Sequence, residues 1–191
     1  YSSVRVKKMD QKYLIQMERH GKRLDSSKDR VNKSKTKSNY KYSDYSDVKN
    51  ALNLNDNFNN LLDSGVKTYG KSSIGLHMIL SVSSDWIKEK GNIHDSKNER
   101  NKQLMREAIN FAHEKFGKNS ILGSRMDFDE NGGGNIDLFV VPLHQVKQRN
   151  TLKTVISPSK SLAFLKKNFG KKGQKEYEVL QDLWAENCQT G

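Results

Sequence analysis

The run Asn135-Ile-Asp-Leu-Phe-Val-Val-Pro142 constrains this chain more than any other segment. It is short, apolar and β-branched, and proline ends it, which is the pattern of a core strand. Residues 120–128 read as a second strand, and the turn Asn131-Gly132-Gly133-Gly134 joins the two as a hairpin. Asp137 lies inside the core strand, where a carboxylate is costly unless it is paired or bound to a metal. Alternate side chains of a strand share a face. Asn135 and Asp137 therefore point one way, and Asp127 and Asp129 point together from the preceding strand. The hairpin folds one pair over the other. Such a cluster of hard oxygens favours Mg2+ or Mn2+ over Zn2+.

The rest of the chain fits around that pair. Residues 2–8 alternate around Val4 and Val6 as a first strand, and residues 12–22 read as a helix with Gly21 at its end. Apolar spacing predicts helices over 47–63 and about 97–116, and two more over 158–167 and 174–188. Residues 74–83 read as a buried strand. The order β-α-α-β-α-β-β-α-α implies an α+β fold, a mainly antiparallel sheet with helices packed on one side.

Lys plus Arg outnumber Asp plus Glu by 34 to 22, a formal charge of +12 on 191 residues. That excess draws polyanions, nucleic acid first among them. No apolar run approaches the roughly 20 residues of a spanning helix, and the start carries no apolar signal core. One cysteine, Cys188, allows no internal disulfide and no thiolate cluster, which fits a reducing cytoplasm. Residues 24–46 hold almost no aliphatic side chains but many lysines, then Tyr40, Tyr42 and Tyr45. They read as a basic loop, either solvated or laid along DNA with tyrosines stacking on bases.

Two strings mislead. Gly65-x-x-x-x-Gly70-Lys71-Ser72 matches a phosphate-binding loop, yet a helix precedes it and a strand follows, the reverse of what that loop needs. It reads as a polar helix-to-strand turn. Asp127 to Gly132 begins like a calcium-binding EF-hand, but position 12 is Leu138 rather than Glu. His20 sits at the end of the first helix beside Arg19, Lys22 and Arg23, which favour the neutral, nucleophilic imidazole.

Taken together, these blocks resemble the Mob/Pre (MobV-type) plasmid mobilisation relaxases of the HUH endonuclease superfamily. The first block is the strand Val4 to Met9, then His20-Gly21-Lys22-Arg23, then Asn39-Tyr40 after a basic stretch. The second is Asp127-Phe128-Asp129-Glu130, then Asn135-Ile136-Asp137, then Val140-Val141-Pro142. Where the family carries three metal-binding histidines, this chain carries Asp127, Asn135 and Asp137, and its turn is one residue longer.

The resemblance implies site- and strand-specific nicking of plasmid DNA at an origin of transfer. His20 is expected to attack the phosphate and form a covalent 5′-phosphoryl link. A divalent Mn2+ or Mg2+ on Asp127, Asn135 and Asp137 would polarise that phosphate. Glu130 or Asp129 would orient or deprotonate His20, and Tyr13, Tyr40 and Tyr42 are the substitute nucleophiles. Arg23, Lys35, Lys37, Asn39, Tyr40, Arg125, Lys147 and Arg149 are the expected DNA contacts. The implied setting is the bacterial cytoplasm, with relaxosome and coupling proteins as further partners and no membrane. Residues 1–191 are expected to form one relaxase domain cut from a longer protein. The alternatives are a non-catalytic DNA-binding module of the same fold and a rolling-circle replication initiator.

Overall fold

The computed structural model describes residues 2–25, 31–68 and 73–190. Lys28 and Arg30 of the basic loop, and Gly70-Lys71-Ser72 of the phosphate-loop string, lie outside them. The elements run β1 (Ser2–Met9), α1 (Gln11–Gly21), β2 (Tyr40–Tyr42), α2 (Leu54–Asp63), β3 (Gly75–Val82), α3 (Ser84–Lys88), α4 (Glu99–Phe116), β4 (Ile121–Met126), β5 (Asn135–Val140), β6 (Leu143–Gln148), β7 (Thr151–Ile156), α5 (Pro158–Phe169) and α6 (Glu176–Thr190).

Five strands form one antiparallel sheet in the order β1-β3-β5-β4-β2. The central hairpin of β4 and β5 is the one the glycine turn announces. Strand alternation splits the apolar residues between two faces. Leu76, Met78, Leu80, Ile136, Leu138 and Val140 face α4, α5 and α6. Phe139 and Val141 point the other way, toward Leu14 of α1 and Leu54, Phe58 and Leu61 of α2. Helices therefore cover both faces, not one side as the element order suggests. Two clusters of apolar residues, not one, had to be buried, and the sheet separates them.

Local chemistry sets the helix ends. Asp10 caps α1 by accepting from the Tyr13 backbone N–H at 2.7 Å, and Asn98 caps α4 through the Arg100 N–H at 2.9 Å. Pro158 opens α5 at a position where no backbone donor is needed. The helix expected over 47–63 begins only at Leu54, after turns at residues 48–52. Beyond the sheet, β6 and β7 form a separate hairpin with Arg149 at its tip in the left-handed region, φ 55°. Its apolar burial is confined to one end, where Val155 and Ile156 are buried, and the rest of its strands is polar and exposed, so the sequence carries no alternating pattern for it.

A buried charge pair spans the middle of the sheet. Arg125 and Asp137 are direct cross-strand partners, with Nε 2.9 Å from Oδ2. Burial opposes ionisation of Asp137, but the His77 hydrogen bond and the Arg125 charge outweigh it and bring its pKa down to about 2. A depressed carboxyl contributes stability that is present above its ordinary range and lost as pH falls toward the folded value. The contribution is about 2 kcal/mol. Wild-type stability to denaturant is expected to fall between roughly pH 4 and 2 by this amount. In Asp137→Asn that portion of the fall should be absent, and stability at pH 7 should already be about 3–5 kcal/mol lower, because Arg125 is left uncompensated. Identical pH profiles for the two proteins would contradict this assignment.

A second prediction concerns packing. A Cβ at Gly123 would collide with Leu54 Cδ2 and come within 2.7 Å of the Ala51 carbonyl oxygen. Gly123→Ala is therefore expected to cost about 1–3 kcal/mol and to lower the melting temperature by roughly 2–4 °C per kcal/mol. An unchanged melting temperature would show that α2 is not pressed against β4.

Candidate functional site

The α1-facing side of the sheet carries polar groups beyond its apolar patch. Arg5 and Lys7 of β1 stand opposite Ile79 and His77 of β3, Ile79 stands opposite Asp137 of β5, and Asp137 opposite Arg125 of β4. Directly paired residues share a face, so these side chains converge. Helix α1 crosses them and adds Tyr13, Met17 and His20 at helical spacing. Its last residue, Gly21, is buried against Arg125, and a Cβ there would lie 3.0 Å from Nη1. Between helix and sheet lies a cavity of about 580 Å³, walled by Arg5, Arg19, His20, His77, Asp127 and Asp137 among others.

Two guanidinium groups organise the acids. Besides Asp137, Arg125 Nε lies 3.4 Å from Asp127 Oδ2. Arg23, at φ 58°, bridges three carboxylates: Asp129 at 2.5 Å, Asp127 at 3.1 Å and Glu130 at 2.5 Å. Asp129 also accepts from Thr36 Oγ1 at 2.7 Å and Asn39 Nδ2 at 2.9 Å. Burial works against its ionisation, but Arg23, Thr36 and Asn39 together hold its carboxyl below the usual range. Asp127 goes the other way: burial raises it despite Arg125 and Arg23.

Asp127, Asp129 and Glu130 place one carboxylate oxygen each within 4.8 Å of one another. Three hard oxygens at that spacing fit a Mg2+- or Mn2+-sized ion. This group differs from the expected Asp127, Asn135 and Asp137. Asn135 is exposed and accepts from Ser81 Oγ at 2.6 Å. Both oxygens of Asp137 are engaged, Oδ1 by His77 at 2.6 Å and Oδ2 by Arg125. Only Asp127 belongs to both sets.

The reading of His20 as nucleophile of a metal-dependent transesterification, with a covalent histidyl link to DNA, is overturned. The ion-sized group is Asp-Asp-Glu and holds no histidine. His20 has Nδ1 2.9 Å from Asp25 and Nε2 3.5 Å from Glu130. Both nitrogens thus face carboxylates. Asp129 is bound to Arg23, Thr36 and Asn39, not to His20.

The expected DNA contacts divide into two groups. Arg23 and Arg125 are buried in the ion-pair network, their side chains 8% and 5% exposed. Asn39 ties down the acidic loop, bonding Asp127, Asp129 and the Phe128 backbone N–H. Tyr40 donates to the Ser96 carbonyl and packs edge-on to Phe128, and Tyr42 donates to Asp44 at 2.8 Å. The pairing of β2 with β4 turns these tyrosines inward. Lys37, Lys147 and Arg149 are exposed, and Lys35 is half-exposed.

His77 escaped the sequence reading. A histidine inside the apolar run Ile74 to Val82 carried the same signal as Asp137 in its strand, a polar group that needs a buried partner. The two prove to be each other's partner.

A family model described as plasmid recombination enzyme, Mob_Pre, matches residues 1–181. Among solved structures, the chain is similar to the MobM relaxase domain bound to a 22-nucleotide plasmid pMV158 oriT DNA in a Mn-bound crystal at pH 5.5. That match has 19% identity, covers 100% of this chain and 87% of the other, and has a TM-score of 0.68. A second Mn-bound MobM structure, with a 22-nucleotide DNA carrying a 3′-thiophosphate, gives 19% identity, 80% and 74% coverage and a TM-score of 0.60. A third, with a 26-nucleotide oriT DNA, gives 14% identity, 97% and 86% coverage and a TM-score of 0.53. At these identities the likeness is one of fold. No curated protein sequence matches the chain. The family model spans nearly the whole sequence, blocks around His20 and Asp137 included, and on that ground the chain belongs to the Mob_Pre family of plasmid recombination enzymes.

Proposed function

We propose that this chain nicks one strand of plasmid DNA at an origin of transfer, as a relaxase acting with a divalent cation. One observation carries the reading: Asp127 and Glu130 of the Asp127, Asp129 and Glu130 cluster line a cavity that Arg5 and Arg19 share, in a family that acts on plasmids. The MobM relaxase domains of the same fold are bound to oriT DNA and Mn. An ion held by Asp127, Asp129 and Glu130 would neutralise charge on the reacting phosphate. Lys35, Lys37, Lys147 and Arg149 are the proposed phosphate contacts, which position DNA without reading its sequence. Residues 1–191 would act as one relaxase domain in the cytoplasm, with relaxosome and coupling proteins as partners. No helix among the described residues is long and apolar enough to cross a membrane.

A second reading, binding without cleavage, draws on a different observation. Arg23 and Arg125 already compensate the acidic groups, so an ion must compete with a resident guanidinium.

With Mn2+, the protein is expected to convert a supercoiled plasmid carrying its cognate origin to the open circle, and EDTA to abolish the conversion. Glu130→Gln, at a partly exposed position, should lower both Mn2+ affinity and nicking by roughly tenfold or more. DNA that is shifted on a gel but never cut would establish the second reading. Lys147→Ala and Arg149→Ala should each reduce the slope of log K against log salt by about 0.7–0.9. An unchanged slope would make the β6–β7 hairpin a bystander.

A further inference from the structure

The two edges of the five-stranded sheet differ. Helix α6 covers the β1 edge, where the Gln181 side chain stands in for a strand. Its Oε1 accepts from the Val4 backbone N–H at 2.7 Å, and its Nε2 donates to the Ser2 carbonyl at 3.1 Å. At the other edge β2 pairs with β4 alone. Among the described residues, no backbone group of Tyr40, Lys41 or Tyr42 bonds to anything but β4. An open edge of this kind is a template for another chain.

A groove of about 580 Å³ runs beside that edge, between β2 and α4. From α4 come Met105 and Ile109, four residues apart and so on one helix face. Val48, 66% exposed, adds to the apolar wall. So do the rings of Tyr40 and Tyr42, whose hydroxyls are already engaged by the Ser96 carbonyl and by Asp44. Lys41, Lys102 and Arg106 also line the groove, and no carboxylate does. Lys102 is paired with Glu99 at 2.7 Å, whereas among the described residues Lys41 and Arg106 make no ion pair. Tyr40 and Tyr42 pack with the α4 side of the sheet, away from the cavity under α1. The groove is thus separate from the acidic cluster and its arginines.

We propose that this edge and groove dock an extended acidic segment of another protein, added to the sheet as a strand beside β2. Directly paired residues of neighbouring strands share a face. The residues opposite Tyr40 and Tyr42 would therefore be apolar and enter the groove beside Met105 and Ile109. The residue between them, opposite Lys41, would be Asp or Glu, and a second acid would meet Arg106. Main-chain hydrogen bonds give such a complex its affinity, and the alternation of side chains gives it selectivity. A second copy of this chain fits poorly. Two β2 strands paired about a twofold axis at their middle residue would set Lys41 against Lys41, and like charges directly opposite repel. Nucleic acid would satisfy the cations but leave the apolar wall and the backbone edge unused.

The test selects binders of the intact protein from a phage-displayed library of random dodecapeptides, then measures the enriched sequences as free labelled peptides. The expected winners alternate apolar residues with Asp or Glu. Their binding should slow amide hydrogen exchange at Tyr40, Lys41 and Tyr42, the signature of a new ladder that side-chain contact alone would not give. Arg106→Glu and Val48→Asp, both at exposed positions, should each weaken the peptide roughly tenfold or more without lowering the melting temperature. Lys41→Glu should shift a repeated selection toward basic peptides. No enrichment, enriched peptides without the acidic alternation, unchanged exchange at β2, or affinity indifferent to both Arg106→Glu and Val48→Asp would overturn the proposal. Displacement of the peptide from β2 by a random single-stranded oligonucleotide, with loss of oligonucleotide binding in Arg106→Glu, would overturn it in favour of nucleic acid. A dimer in sedimentation that Val48→Asp dissociates would overturn it in favour of a second copy.

Discussion

A guanidinium buried in the sheet ties the fold to the site. Arg125 projects from β4 onto Asp137 of β5 and reaches Asp127 where the strand runs out into the acidic loop. A buried ion pair adds little net stability over an apolar pair, yet removing one partner strands the other charge at a cost of several kcal/mol. The pair therefore acts on register. A slip of β4 by one residue against β5 would turn Arg125 toward the α4 side and away from Asp137. The same register places His77 beside Asp137 and leaves Gly21 room to lie against Arg125. Strand alignment and site geometry are thus one constraint.

The charges around the cavity run against those of the chain. Four carboxylates, Asp127, Asp129, Glu130 and Asp137, face two guanidinium groups, Arg23 and Arg125. The molecule carries a formal +12, so long-range attraction of DNA and local tolerance of a phosphate are separate problems. Net charge and the exposed lysines solve the first. The second calls for cations at the cavity itself. Arg5, Lys7 and Arg19 supply some of that charge on one side, and a divalent ion on the acidic cluster would supply it on the other. Arg23 is the group such an ion would have to share the carboxylates with.

Much of this was legible from residues alone, and the failures have physical causes. The glycine turn and the apolar run after it placed the central hairpin, and a carboxylate inside a core strand correctly demanded compensation at Asp137. What compensates it was not legible. A buried carboxylate states that a positive partner exists but not whether the partner is a metal, an arginine or a histidine, since all three meet the same electrostatic need. Arg125 lies twelve residues away in sequence and His77 sixty, and only the strand pairing brings them together. Tyr40 and Tyr42 looked free for bases because pairing of a three-residue strand leaves little trace in composition. The start of α2 was misplaced because Val48, Ala51 and Leu52 keep helical spacing in a segment that forms turns.

Helix α1 shows how placement sorts similar chemistry into different roles. Tyr13 and His20 stand seven residues apart on one face, about 10 Å along the axis. Both could in principle attack a phosphorus atom, and spacing alone does not separate them. Their neighbours do. At the C-terminal end His20 meets the carboxylates of Asp25 and Glu130. Two turns earlier the Tyr13 hydroxyl lies 2.9 Å from His77 Nδ1. The difference arises in the sheet below, where Asp137 holds the His77 tautomer and Arg125 holds Asp137. The partners of the helix side chains are thus set by the strand register beneath them.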